Sequence, residues 1–127
     1  MITYTKPRHE RPVYWVGSAK KDLLTFPEKV VDEFGYALGL VQQGGVPPSA
    51  KPWKGEGPGL FELIEDHRGG AFRLIYAVRF DDAVYVLHCF QKKSSSGIRT
   101  ARTDIEIIHR RLRAARADYE VRYGKKT

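Results

Sequence analysis

Two runs of alternating apolar and polar residues, 71–80 and 83–93, lie on either side of the acidic pair Asp81–Asp82. Alternation with a period of two is typical of β-strands, because successive side chains point to opposite faces of a sheet. Apolar-rich runs joined by a two-residue turn predict a β-hairpin. Pairing Phe80 with Ala83 fixes the register of this hairpin and therefore decides which side chains share a face.

The predicted hairpin has two different faces. The first is apolar and is expected to form the core, with Phe72, Leu74, Tyr76, Val78, Phe80, Tyr85, Leu87 and Cys89. The second concentrates charged and polar side chains, namely Arg73, Arg79, His88 and Lys92. Cys89, the single cysteine, is expected to be a small buried core residue rather than a nucleophile. The functional hypotheses therefore rest on the second face.

Apolar residues recur at helical spacing on both sides of the hairpin. Before it, helices are predicted over 19–24 and 27–43, and the second should bury Val30, Phe34, Ala37, Leu38 and Val41. After it, a helix is predicted over 101–122 with an apolar stripe of Ile105, Ile108, Leu112, Ala115 and Tyr119. Ser18, Thr25 paired with Glu28, and Thr100 are predicted as helix N-caps.

Two further strands are predicted, a short edge strand over 13–16 and a strand over 60–65 that precedes the hairpin. A four-residue turn at 67–70 would put Glu62 on the second face, near Arg73 and Ile75. Between them, residues 44–59 contain five Gly and four Pro and are expected to form a connecting loop. The elements together predict an α+β fold, a small antiparallel β-sheet with N-terminal helices and a C-terminal helix packed on its apolar face. Residues 13–122 should form a single domain, with a flexible arm over 1–12 and a basic tail over 123–127.

The net charge of +7 comes entirely from the last part of the chain. Residues 1–91 hold eleven Lys and Arg against eleven Asp and Glu, whereas residues 92–127 hold eleven against four. Such a segment suits a polyanion, most simply nucleic acid, although a solvated arginine-rich helix face is the alternative. There is no apolar run of membrane-spanning length, no secretory signal and no possible internal disulfide, so we expect a cytoplasmic protein without a membrane partner.

Common cofactor and metal motifs are absent from the sequence. There is no Walker loop, no GxGxxG and no HExxH, and the four His and one Cys lack metal-ligand spacing, so we expect neither a metal nor a small-molecule cofactor. Metal-free cleavage of RNA has to deprotonate a 2′-hydroxyl, stabilise the phosphoryl charge and protonate the leaving oxygen. His88 has the pKa range for proton transfer, and Arg73 and Arg79 can bind phosphate.

These polar residues also have simpler interpretations. His88 can be a structural imidazole, and Arg73 can simply pair with Glu62. Arg79 can pair with one of the two acidic turn residues that follow it. The residue pattern by itself therefore predicts only a basic antiparallel sheet that binds nucleic acid.

The segment AFRLIYAVRFDDAVYVLHCFQKKSSSGIRTARTDIEIIHRRL resembles toxins of the HigB/RelE superfamily, in the phage-derived HigB-like branch. The resemblance rests on the strand motif Phe72-Arg73-Leu74, on the strand end VYVLHCFQKKS and on the Thr-initiated, Ile-rich helix that follows. The upstream KPWKG, before the strand that begins Leu60-Phe61-Glu62-Leu63, also matches. The similarity extends over about residues 13–118.

This resemblance implies a RelE/ParE-like fold and the toxin of a type II toxin–antitoxin pair, a metal-independent endoribonuclease that cuts mRNA on the ribosome and inhibits translation. The implied partners are a cognate helix-turn-helix antitoxin, the ribosome and mRNA. The implied catalytic residues are Arg73, which matches the phosphate-stabilising arginine of the family, the basic pair Lys92 and Lys93, and, on the same face, His88 and Arg79. Contacts to RNA are expected from Lys51, Lys54, Arg99 and Arg102.

The sequence departs from the family pattern at two places. Many relatives have an arginine where this chain has Ile64, and no tyrosine follows the last strand where some relatives place a catalytic one. The general acid and base therefore stay open. Two other functions also stay open, a ParE-like inhibitor of DNA gyrase that cuts nothing and a non-catalytic nucleic-acid-binding module.

Overall fold

A computed structural model describes residues 10–92 and 100–124 of the chain. In chain order the elements are β1 (Val13–Trp15), α1 (Ala19–Leu23), α2 (Glu28–Gln42), β2 (Ala50–Pro52), β3 (Leu60–His67), β4 (Gly70–Ala77), β5 (Val84–Lys92) and α3 (Arg102–Tyr123). The five strands form one sheet in the order β1-β5-β4-β3-β2. The α+β fold is confirmed. No helix in the described part of the chain is long and apolar enough to cross a membrane.

The helices cover both faces of this sheet, not one. The first core, between the sheet and α1 and α2, contains the five predicted residues of α2 together with Leu63, Phe72, Leu74 and Tyr76. The second core, between the opposite face and α3, contains Ile75, Ile108, Leu112, Ala115 and Tyr119. The prediction that all helices pack on one apolar face was therefore wrong, because the second face carries enough apolar side chains to bind α3.

The β4–β5 hairpin has the predicted register over only part of its length. Arg73 pairs with Phe90 and Ile75 pairs with His88 as predicted, but the register shifts between Ile75 and Tyr76. Beyond this irregularity Tyr85 lies against α3 and Val86 lies against α1 and α2, the reverse of the prediction. One extra residue in a strand exchanges the faces of everything beyond it. The two-residue turn was also wrong, since β4 ends at Ala77 and β5 begins at Val84.

The β3–β4 turn fixes the register between these two strands, and therefore which polar side chains of the second face are neighbours. Arg68 and Gly69 connect the two strands, and both have positive φ angles, 48° and 82°. Two consecutive residues with positive φ match the right-handed twist of the flanking strands, so they hold a tight hairpin. Glu62 consequently pairs with Ile75, as predicted.

Several details of the edges and helix ends differ from prediction. β1 pairs with β5 in parallel, and β2 forms a short antiparallel edge strand inside the Gly/Pro-rich segment that we expected to be a loop. No predicted cap residue makes a side-chain cap bond: Ser18 donates to the Asp22 carboxylate, and the N-caps of α2 and α3 are Pro27 and Ala101. Ile105, expected in the buried stripe of α3, is 41% exposed.

Arg11 attaches the start of the described chain to the end of α2. Its backbone N–H donates to the carbonyl of Gln42 at 3.0 Å, and its guanidinium donates to the carbonyl of Val41 at 2.6 Å. The Gln42 amide donates in return to the carbonyl of Arg11 at 2.9 Å. A cation at this position stabilises the free carbonyls at the C-terminus of a helix. Residues 1–9 of the predicted arm and 125–127 of the predicted tail lie outside the described residues.

Candidate functional site

The face of the sheet that contacts α3 also carries the polar residues predicted from the sequence. Lys51 pairs with Glu62, Glu62 with Ile75, and Ile75 with His88, and residues paired across strands share a face. Arg73 lies on the same face in the next row of the sheet. Lys92 follows in the row beyond it, paired with Ala71. Alternation along the strands thus collects these side chains at the end of the sheet formed by the β3–β4 turn.

Glu62 lies at the centre of a charged cluster with Arg73 and Lys92. Its Oε2 atom is 3.5 Å from Nε of Arg73 and 3.9 Å from Nζ of Lys92. Glu62 and Arg73 are buried and Lys92 is partly buried, and the exposed fractions of the three side chains are 12%, 9% and 10% respectively. The more exposed Asp66 accepts a hydrogen bond from Nη1 of Arg73 at 3.1 Å. We call Glu62, Arg73 and Lys92 the Glu62 cluster.

Two atoms of the Glu62 cluster lack hydrogen bonds. Among the described residues, Oε2 of Glu62 and Nε of Arg73 are buried and have no hydrogen-bond partner. Nearly all buried polar atoms in proteins are hydrogen-bonded, so such exceptions call for an explanation. The first atom is an acceptor and the second is a donor. A buried acceptor and a buried donor therefore face each other at 3.5 Å, within ion-pair distance but without a hydrogen bond.

His88 lies on the same face but has its own set of partners. Its Nε2 atom is 2.7 Å from the Asp104 carboxylate, and its Nδ1 atom is 3.4 Å from the Arg111 guanidinium. The ring also stacks on Phe90, with 4.9 Å between the ring centroids. Burial lowers the pKa of His88, and it outweighs the opposing effect of Asp104.

The two partners of His88 fix the tautomer of its neutral form. A neutral imidazole has a single N–H, and a carboxylate only accepts, so Nε2 donates to Asp104. Nδ1 then accepts from Arg111. Because both ring nitrogens are engaged, the contacts favour a structural role, and proton transfer by His88 stays a prediction.

Arg79 lies away from the Glu62 cluster. Arg79 lies just beyond Ala77, where β4 ends. Lys92 pairs with Ala71, at the other end of the same strand. The Arg79 guanidinium donates to the backbone carbonyls of Glu56 and Pro58, the latter at 3.0 Å. Gly59 contacts the Arg79 backbone so closely that a Cβ atom there would lie 2.9 Å from its Cα. Arg79 thus holds the loop before β3, and the structure does not bring it to the other catalytic candidates.

The predicted RNA-binding residues are spread around this face. Lys51 shares the face of Glu62 on the edge strand β2, and Lys54 is exposed in the loop that follows it. Arg102 begins α3, is 92% exposed and lies 3.4 Å from Glu106. Lys93 and Arg99 lie outside the described residues. Trp53, between the two lysines, packs against the α3 core and so anchors the loop.

Cysteine and metal chemistry have no support at this site. Cys89 is 3% exposed, and burial raises the pKa of its thiol far above the ordinary value. It is therefore a core residue, as predicted. Among residues 10–92 and 100–124, no group of three or more His, Cys, Asp and Glu side chains is placed to hold a metal ion.

Sequence reasoning missed three residues of the site. Asp66, Asp104 and Arg111 contact Arg73 or His88 directly. Asp66 could have been found, since alternation along β3 puts it on the same face as Glu62. The other two come from α3, and nothing in strand alternation shows which face of a sheet a distant helix covers.

A family model described as Phage derived protein Gp49-like (DUF891) matches residues 21–113, which is most of the chain and includes the Glu62 cluster. The chain belongs to this family. Gp49-like proteins are toxins of toxin–antitoxin pairs and are related to RelE and HigB. The coarse prediction of a toxin with an antitoxin partner is confirmed. No curated protein sequence matches the chain at a significant level.

Proposed function

We propose that this Gp49-like protein is the toxin of a type II pair and that it cleaves mRNA in the translating ribosome with the Glu62 cluster. The observation that carries the proposal is the pair of buried atoms without hydrogen bonds, Oε2 of Glu62 and Nε of Arg73. An RNA strand supplies the two complementary groups, a 2′-hydroxyl that donates and a phosphate oxygen that accepts. Both groups take part in the cleavage step.

Each member of the cluster has a definite role in this reaction. Glu62 accepts the proton of the 2′-hydroxyl as its oxygen attacks the phosphorus. Arg73 stabilises the negative charge that gathers on the non-bridging phosphate oxygens. Lys92 donates a proton to the 5′-oxygen as the P–O5′ bond breaks. The products are a 2′,3′-cyclic phosphate and a free 5′-hydroxyl, and the step needs neither a metal nor a cofactor.

Burial of the cluster supports dependence on the ribosome. Side chains that are about nine-tenths buried cannot meet a phosphodiester until the site opens. Binding energy from a large partner can drive such an opening, because that partner binds the open state in preference to the closed one. We therefore infer that free RNA is a poor substrate and that mRNA held in the ribosomal decoding site is a good one, in the cytoplasm and in competition with a helix-turn-helix antitoxin.

Because the Glu62 cluster is buried, one alternative is also favoured, a toxin that blocks DNA gyrase and cuts nothing. Inducing the chain in bacteria and mapping mRNA 5′ ends distinguishes the two functions. In-frame cuts that appear with growth arrest support the nuclease. Growth arrest with an SOS response and intact mRNA supports gyrase inhibition.

Lys92→Met is the sharpest variant for the induction experiment. Methionine keeps most of the apolar stem of lysine and removes the ammonium group, so the fold should persist while cleavage is lost. Lys29→Met is the matched control, because Lys29 is exposed on α2, which packs on the opposite face of the sheet. Normal cleavage by the Lys92 variant would contradict the assignment.

A further inference from the structure

The side of α3 that faces away from the sheet carries three exposed arginines, Arg110, Arg113 and Arg116. Neither a hydrogen bond nor an ion pair joins any of them to another described residue. Six other described arginines do have such partners, namely Arg11, Arg73, Arg79, Arg102, Arg111 and Arg122. Arg68, in the β3–β4 turn, is exposed and has none either. We call Arg110, Arg113 and Arg116 the arginine ridge.

The ridge has a regular geometry because it lies on one helix. Residues three apart are neighbours on a helix surface, with a rise of about 4.5 Å between them. The buried side of α3 is defined by Ile108, Leu112 and Ala115, so the arginine ridge lies toward solvent. His109, beside the ridge, is 2.9 Å from Glu56, in the loop that also carries the exposed Lys54. His109 thus connects α3 to the loop between β2 and β3.

The ridge cannot bind the phosphate that the Glu62 cluster holds. A helix with its side chains is about 10 Å across, and α3 packs between the ridge and the sheet. The phosphate seated on Arg73 therefore cannot also contact the three outward guanidinium groups. Any phosphates that these groups bind belong to another part of the RNA.

We propose that the arginine ridge docks the phosphate backbone of folded RNA, separately from the strand that is cleaved. The proposal rests on the proposed function in one respect, since it takes the source of that RNA to be the ribosome. Planar guanidinium groups bind phosphate through paired N–H donors. The segment 92–127, to which the ridge belongs, also carries the whole net charge of +7, which favours a polyanion over an acidic protein segment.

The test measures binding to purified bacterial ribosomes by sedimentation, in a Glu62→Gln background that does not cut RNA. The ridge variant is Arg110→Gln, Arg113→Gln and Arg116→Gln combined. The control combines Lys20→Gln, Lys21→Gln and Lys29→Gln, which removes the same charge from exposed positions on the α1 and α2 side. Circular dichroism checks the fold of both proteins.

We expect the ridge variant to bind ribosomes at least about tenfold more weakly than the control. The slope of log affinity against log salt should also fall by about 0.9 for each phosphate that the variant no longer neutralises. Equal weakening in both variants would show a general charge effect and overturn the proposal. Unchanged ribosome binding would overturn it too, as would a selective loss of binding to the antitoxin. The experiment measures ribosome binding and not cleavage. A protein that binds ribosomes through the ridge but does not cut mRNA would contradict the proposed nuclease and leave the docking surface standing.

Discussion

Nε of Arg73 lies 3.5 Å from Oε2 of Glu62, and neither atom forms a hydrogen bond with another described residue. Two opposite charges held this close in a buried place normally form a hydrogen-bonded pair, because burial makes unpaired polar atoms costly. The two atoms form an ion pair in this structure, and a third group can reach them only when the site opens. We expect RNA to supply that group.

Glu62→Gln should abolish cleavage with little change in fold. The amide has nearly the same shape as the carboxylate but cannot accept a proton, so the rate should fall by about 10²–10⁴-fold. Cleavage of mRNA in a reconstituted translation reaction measures this loss. Glu65→Gln is the matched control, because Glu65 pairs with Phe72 on the opposite face and should cut normally. An equal loss of cleavage rate in both variants would show that Glu62 has no specific role in the reaction.

Arg73→Met should destabilise the fold, because it leaves the buried Glu62 carboxylate with a weaker set of partners. Breaking a buried ion pair from one side costs about 3–5 kcal/mol. Adding Glu62→Gln should recover much of this loss, since the uncompensated charge is gone. Urea unfolding of the two single variants and the double variant measures the coupling. Strictly additive effects would show that the two side chains do not interact.

The lowered pKa of His88 predicts a pH-dependent contribution to stability. The unfolded chain binds a proton at this residue more readily than the native protein does, because the native site is buried beside Arg111, although Asp104 and Asp22 oppose the effect. The stability that neutral His88 provides is thus complete above the unfolded pKa of about 6.5 and is lost as the pH falls below it.

Urea unfolding between pH 5 and 7.5 tests this dependence. His88→Gln retains a donor for Asp104 and an acceptor for Arg111 but does not titrate. We expect the stability of the wild type to fall more steeply than that of the variant below pH 6.5, by up to about 1.4 kcal/mol per pH unit. Parallel curves would mean that the native pKa of His88 is not lowered.

Tyr85→Phe should loosen the attachment of α3 to the sheet. The buried hydroxyl of Tyr85 donates to Asp118 at 2.6 Å, and this bond lowers the pKa of the carboxyl. Its loss should cost about 1 kcal/mol in the free energy of unfolding. Tyr36→Phe is the control, since Tyr36 is 71% exposed and should lose nothing. Unchanged stability of the Tyr85 variant would show that this hydrogen bond contributes nothing to the attachment of α3.

Local patterns in the sequence correctly predicted the α+β fold and the shared face of Glu62, Arg73 and His88. The helical spacing of Val30, Phe34 and Val41 correctly identified the buried side of α2, because that spacing follows from the geometry of the helix itself. Strand alternation correctly placed Glu62 beside Arg73 and put His88 on the same face. These relationships span one hairpin at a time, so the period of the chain is enough to predict them.

Tertiary structure decided the rest, because those features depend on residues far apart in the chain. The register shift between Ile75 and Tyr76 exchanges the faces of Tyr85 and Val86, and alternation gives no sign of a single extra residue. Packing of α3 on the second face brings Asp104 to His88. The same packing leaves Arg110, Arg113 and Arg116 exposed on the outward side of α3, which the sequence alone could not show.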